Sequence, residues 1–129
     1  MIIVPLIPFR RRRKAGGAVQ APPAALTLVS ATYDIETESV ILSFDRAVNV
    51  TGFDPAAITV QDGEFAAGLF VGSGPATVVN PTTIKVFLEE IGGPTVPDVE
   101  LTATAATGIV AVDDGGTWAG VMNLVLPFP

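Results

Sequence analysis

SVILSFDRAV, residues 39–48, decides the fold. Val40, Leu42 and Phe44 alternate with Ile41, Ser43 and Asp45, the period of two that marks a strand with one buried face. Later hydrophobic runs have similar lengths and similar turn residues at their ends. The stretch is therefore expected to be the central strand of a small all-β domain. Strands are predicted near 26–33, 38–45, 57–61, 66–71, 76–79, 82–88, 98–104, 108–112 and 119–126. Turn residues separate them at Asp34 to Thr37, Asn49 to Pro55, Asp62-Gly63, Gly72 to Pro75, Asn80-Pro81, Gly92 to Pro97 and Asp113 to Gly116. Ile84, Val86 and Leu88 share one face, as do Val99, Leu101 and Ala103, with Lys85, Glu100 and Thr102 opposite. Asp54-Pro55-Ala56-Ala57 predicts a single helical turn with Asp54 as cap and Pro55 first. No segment supports a longer helix. The spacing predicts an antiparallel sandwich of about 7–9 strands.

The 129 residues fit one domain with a two-layer core, and at 49% apolar residues burial is not limiting. The 13 glycines and 11 prolines suit many short strands joined by turns. No apolar run approaches the roughly 18 residues that span a bilayer. Cysteine and histidine are both absent, which excludes disulfides and thiolate or imidazole catalysis. It also removes the usual zinc ligands.

Charge divides the chain. Arg10, Arg11, Arg12, Arg13 and Lys14 are five of its seven basic residues; from Ala15 onward Arg46 and Lys85 oppose all 13 acids, a net of −11. A basic tail on an acidic body implies different partners for the two ends. Ahead of the cations stand Met1, Ile2, Ile3, Val4, Leu6, Ile7 and Phe9, with Pro5 and Pro8 favouring an extended path over a helix. Such a segment seeks a sheet edge or a groove on a partner. Residues 1–14 are thus read as an anchoring arm, 15–24 as a Gly/Pro-rich linker and 25–129 as the domain. With charges after the apolar stretch and two prolines inside it, the start makes a poor signal peptide, so no classical secretion is expected.

The candidate chemistry is sparse. The acids fall in close sets: Asp34, Glu36 and Glu38; Asp62 and Glu64; Glu89 and Glu90; Asp113 and Asp114. Paired carboxylates can act as acid and base, but only in a cleft that separates their pKa values. These sets are expected at turns or on solvent faces. Asp113 and Asp114, followed by two glycines, form the best calcium candidate, although they lack the alternating ligand spacing of a defined loop. No metal site or cofactor is assigned. Gly72-Ser73-Gly74-Pro75 has no following Lys-Ser/Thr and leads into a strand, so a hairpin turn is expected there in place of a phosphate loop. Ser30, Ser39, Ser43 and Ser73 have no histidine to activate them. Phe53, Phe65, Phe70 and Phe87 are expected to serve packing. Catalysis is not expected.

VILSFDRAVNVTGFDPAAITVQDG, then TTIKVFLEE, then VELTATAATGIVAVDDGGTWAG and a last apolar strand resemble bacterial immunoglobulin-like domains. The resemblance covers roughly residues 25–127, and departs from antibody-type domains in lacking a cysteine pair and in placing Trp118 late. It implies an immunoglobulin-like β-sandwich used as a spacer, adhesive module or virion decoration. A single such domain behind an arm resembles accessory structural proteins of tailed bacteriophages. Capsid decoration is then the expected role, with a tail or connector component as the alternative. The expected partners are other virion subunits and further copies of the chain, in a trimer or another ring. Two other classes stay open: a glycan- or cell-surface-binding module, with Trp118 and Phe53 as the first aromatics to consider, and a nucleic-acid tether acting through Arg10–Lys14.

Overall fold

Alternation along each strand builds one continuous core. The computed structural model describes residues 23–64, 68–93 and 96–126. Nine strands follow in order: β1 (Leu28–Asp34), β2 (Ser39–Phe44), β3 (Val48–Asn49), β4 (Ile58–Asp62), β5 (Gly68–Asn80), β6 (Thr83–Gly92), β7 (Val99–Ala103), β8 (Val110–Ala111) and β9 (Val121–Val125). Two single 3-10 turns, Pro55–Ala57 and Ala105–Thr107, are the helical content of the described residues. Seven strands form an antiparallel sheet in the order β1-β2-β6-β5-β4-β7-β9, and β3 pairs with β8 separately. The sheet curls, so that the β1-β2-β6 half covers the β4-β7-β9 half and the expected all-β sandwich results. Val40, Leu42, Ile84 and Val86 from one half and Ile58, Val60, Val99 and Leu101 from the other lie in a single core cluster, each no more than 1% exposed. Fully burying an aliphatic side chain of this size contributes roughly 1.5–3 kcal/mol.

The opening stretch folds as expected, with Val40, Leu42 and Phe44 inward, but it does not sit at the centre. β2 lies second from one edge; the middle position belongs to β5. The cause is the Gly72–Pro75 segment. It is not a hairpin turn: the strands expected at 66–71 and 76–79 are one 13-residue strand from Gly68. Its pairing with β6 shifts register between Ser73 and Thr77, a bulge in which Gly74 takes φ +72° and Pro75 needs no ladder bond. Before the bulge, β5 pairs with both β4 and β6; beyond it, only with β6. One kinked strand thereby carries the sheet from one layer to the other. The real hairpin is at Asn80-Pro81, where Asn80 Oδ1 accepts from the Thr82 amide at 3.0 Å and its hydroxyl at 3.1 Å.

The capped turn at Asp54 forms as expected, its carboxylate accepting from the Ala56 amide at 3.0 Å with Pro55 first in the turn. Trp118 packs edge-on against Phe44, centroids 5.2 Å apart, and is 3% exposed. That corrects its consideration as a surface aromatic. Phe70 is in the core, Phe53 packs against it half-buried, and Phe87 is exposed over the outer face with Lys85 Nζ 5.3 Å from its ring centre. Phe65 lies outside the described residues.

Candidate functional site

The residues expected to carry partner binding, Ile2, Ile3, Val4, Leu6, Ile7, Phe9, Arg10, Arg11, Arg12, Arg13 and Lys14, lie outside the described residues. What the structure does define is the place from which they depart and the surface beside it.

Arg46 fastens the chain just ahead of β1. The Nη2 group of Arg46 donates to the carbonyls of Ala24 at 2.7 Å and Ala25 at 3.1 Å. Nη1 donates to Asp113 Oδ1 at 2.8 Å and Asp114 Oδ1 at 3.0 Å. Asp114 completes the ring by accepting from the amides of Ala24 at 3.1 Å and Gly116 at 2.8 Å. These amide bonds and the guanidinium hold the Asp114 carboxyl down at about 2, and the same carboxylate raises the pKa of Arg46. Asp45 repeats the device one residue earlier: its carboxylate accepts from the Thr27 amide at 3.1 Å and its own amide donates back at 3.0 Å. The acid pair considered for calcium thus binds a guanidinium and the chain entry. Among the described residues, no group of three or more acids could hold a metal ion.

Above this clamp two strands face each other without pairing. Leu26 donates to the Thr117 carbonyl at 2.9 Å, and beyond that bond the two sides diverge: β1 turns to β2 and β9 to β7. β1 and β9 are the two ends of the sheet order. Between them runs a groove of about 320 Å³ lined by Leu28, Val29, Ser30, Ala31, Val121, Leu124 and Val125. Its rim is apolar and open, with Val29 65%, Val125 56% and Leu124 37% exposed. Met122, on the far side of β9, is 80% exposed. β9 twists irregularly at Asn123, which has φ +49° and whose amide donates to Thr102 Oγ1 at 3.1 Å.

The other acidic sets are dispersed, with one exception to their expected exposure. Asp62 is fully buried; its Oδ2 accepts from the Tyr33 hydroxyl at 2.9 Å across the core, and its Oδ1 from the Glu64 amide at 3.0 Å. Burial first, then the hydrogen bond and charge of Asp62, push the Tyr33 hydroxyl far above its ordinary range. This pair joins β1 in one layer to β4 in the other. Asp34 closes its own turn by accepting from the amides of Glu36 and Thr37; the Thr37 side chain first, and these amides after it, lower its pKa. Ser39 is buried with its hydroxyl 2.6 Å from that of Thr37, and Ser43 shares a 3.0 Å bond with Thr83. Neither serine has a general base beside it in these contacts.

Sequence reasoning missed the Arg46 clamp, the Tyr33–Asp62 bond and the β1/β9 groove. The signal for the first was available: Arg46 is one of two cations in an acidic body and follows Asp45 directly. The other two depend on the sheet order, which no local pattern encodes.

Among the described residues, no helix is long and apolar enough to cross a membrane. No protein-family model matches the sequence, and comparison with curated proteins finds no match. Among solved structures, the N-terminal part of the bacterial S-layer protein SbsC is similar, with a TM-score of 0.53 at 13% identity over 78% of this chain and 23% of that one. At that identity the likeness concerns the fold.

Proposed function

We propose that this chain is a non-enzymatic structural protein of a virion, a capsid decoration protein anchored to neighbouring subunits by residues 1–14. The observation that carries the reading is the division of charge along the chain, together with the anchoring of residues 24 and 25 on the domain. An apolar segment followed by five cations precedes a body of net charge −11, and the body fastens its own entry point through Arg46 instead of leaving it loose. A charged tail meant for nucleic acid alone has no use for seven apolar residues ahead of its cations. In the proposed mechanism the apolar stretch docks on a neighbour by strand addition, and Arg10–Lys14 add attraction to an acidic surface. The acidic body then faces outward or bridges copies, in a ring matched to the lattice. The fold shared with part of a bacterial S-layer protein is compatible with such a module.

Light scattering on a sizing column tests this, comparing the full chain with one beginning at Ala24, each at low and high salt. Assembly of the full chain at both salt levels, with a monomeric truncated chain, is expected. The second reading, a polyanion tether, rests on the five adjacent cations. It predicts two monomers, with DNA binding by the full chain alone that collapses between low and moderate salt.

A further inference from the structure

We infer that the groove between β1 and β9 is the acceptor site for the arm of a second copy of this chain. The inference rests on the reading of residues 1–14 as an assembly device and names where they dock.

The sheet order supplies the geometry. Six antiparallel steps separate β1 from β9, so the two run in the same direction on either side of the groove. One further strand laid antiparallel to both would close the curled sheet into an eight-stranded antiparallel ring. Each end strand offers a row of main-chain donors and acceptors on its outer side, a template for an added strand. The lining selects the guest: Leu28, Val29, Ala31, Val121, Leu124 and Val125 are apolar, so a short extended segment without charges fits. Ile2-Ile3-Val4-Pro5-Leu6-Ile7 has that composition. In an extended chain, successive residues present their amides to opposite sides. Pairing with β1 through Ile2, Val4 and Leu6 therefore turns the missing N–H of Pro5 away from that ladder.

Antiparallel pairing fixes the direction. Charge does not, because acids stand at both ends: Asp45 and Asp113 facing Arg46 at the foot, and Asp34, Glu36 and Glu38 at and just past the far end of β1. An arm antiparallel to β1 ends at the foot of the groove, so Arg10–Lys14 emerge beside Asp45 and Asp113, whose side chains are 40% and 62% exposed. The reverse direction would carry them to the other end. Thirteen residues, 10–22, separate Phe9 from Pro23, a reach of roughly 43 Å when extended. That is ample for a neighbouring copy. The Pro22-Pro23 sequence favours an extended path over the reversal that would send an arm back up its own groove. Arg46, by holding Ala24 and Ala25, fixes the start of that path.

The chain contains no cysteine, which makes cross-linking clean. Full-length Leu6→Cys with one affinity tag is mixed with full-length Val125→Cys carrying another and treated with a short bis-maleimide. A covalent pair bearing both tags is expected, reduced at least tenfold when Val29→Glu is added to the acceptor. Val29 is a rim residue 65% exposed, so that variant keeps its circular dichroism spectrum. A Leu6→Cys/Val125→Cys double variant is treated in parallel; cross-linking confined within its single chains would identify a chain's own arm as the occupant and overturn the inference. So would the absence of any cross-link in a full chain that still assembles through residues 1–14; the assembly reading would then stand without this groove. If removing residues 1–14 leaves the oligomeric state unchanged, the assembly reading itself fails.

Discussion

Tyr33 is the only tyrosine, and its hydroxyl spans the core to a fully buried carboxylate. A carboxylate taken from water must recover its hydrogen bonds inside, so removing the donor leaves Asp62 short of one partner. Tyr33→Phe is expected to cost about 1.5–3 kcal/mol in denaturant unfolding, the range for hydrogen bonds to charged groups. Because the folded hydroxyl titrates above its unfolded value near ~10, its contribution is complete below that pH and is lost as pH rises past it. Absorbance at 295 nm should therefore show no phenolate in the folded chain at pH 10.5 and an ordinary titration in urea. Phenolate appearing near pH 10 without unfolding would contradict the buried pair. Asp114 works with the opposite sign. Its folded pKa of about 2 lies below its unfolded value of 3.8, so its contribution is full above 3.8 and is lost as pH falls through 2. Asp114→Asn should lower the melting temperature at pH 6, and the difference from the unaltered chain should shrink steeply as pH falls through 2. A difference that keeps its pH 6 size down to pH 2 would mean the loss is steric and not one of charge.

β5 is the element on which the architecture turns, because its kink passes the sheet from one layer to the other. Gly72 lies so close to the Pro55–Ala57 turn that a Cβ would stand 2.3 Å from the Pro55 carbonyl oxygen. Gly74 has open space around it but a φ of +72°. The two glycines are thus required for different reasons. Gly72→Ala forces backbone apart and is expected to cost about 1–3 kcal/mol. Gly74→Ala carries only the left-handed penalty, about 1–2 kcal/mol, and leaves the packing of Pro55 unchanged. Chemical denaturation of both variants, with the single Trp118 as reporter, checks both losses. This element also marks how far the sequence can be read. The inward faces of β2, β4, β6 and β7 follow from local alternation, as does the Asp54 cap, because each is decided by neighbours within a few residues. Gly-Ser-Gly-Pro has the same local chemistry in a turn and in a bulge, and only pairing with β6 distinguishes them. β3, two residues long, has no periodic signal and exists by pairing with β8, the two-residue strand formed within the stretch expected at 108–112. Asp62 sits beside Gly63 as a turn acid would, and its burial is set by Tyr33, 29 positions away. The groove depends on which strands finish at the sheet ends, a property of the entire topology.

At the scale of the molecule, the proposed arm must overcome the entropy of ordering itself. Seven apolar side chains, if fully buried, contribute roughly 10–20 kcal/mol in gross terms. Fixing nine backbone residues costs about 9–18 kcal/mol. The two nearly cancel, so the basic cluster that follows becomes the margin that decides whether docking holds. Exposed charge pairs contribute only about 0–1 kcal/mol each. Five cations against a body of −11 therefore add a few kcal/mol at low salt, and screening removes most of this as the Debye length shrinks from about 10 Å at 0.1 M to about 3 Å at 1 M. Self-association of the full chain is accordingly expected to weaken by roughly 10- to 100-fold across that range, without being abolished, when measured by sedimentation equilibrium. Replacing Arg10–Arg13 by Ala should produce the same loss at low salt and remove the salt dependence. Replacing Ile3 and Leu6 by Ser should abolish association at every salt level, because it takes away the term that meets the ordering cost. A far steeper salt response in the unaltered chain, together with indifference to Ile3 and Leu6, would instead describe counterion release from a polyanion. That result would transfer the arm from protein assembly to nucleic-acid tethering.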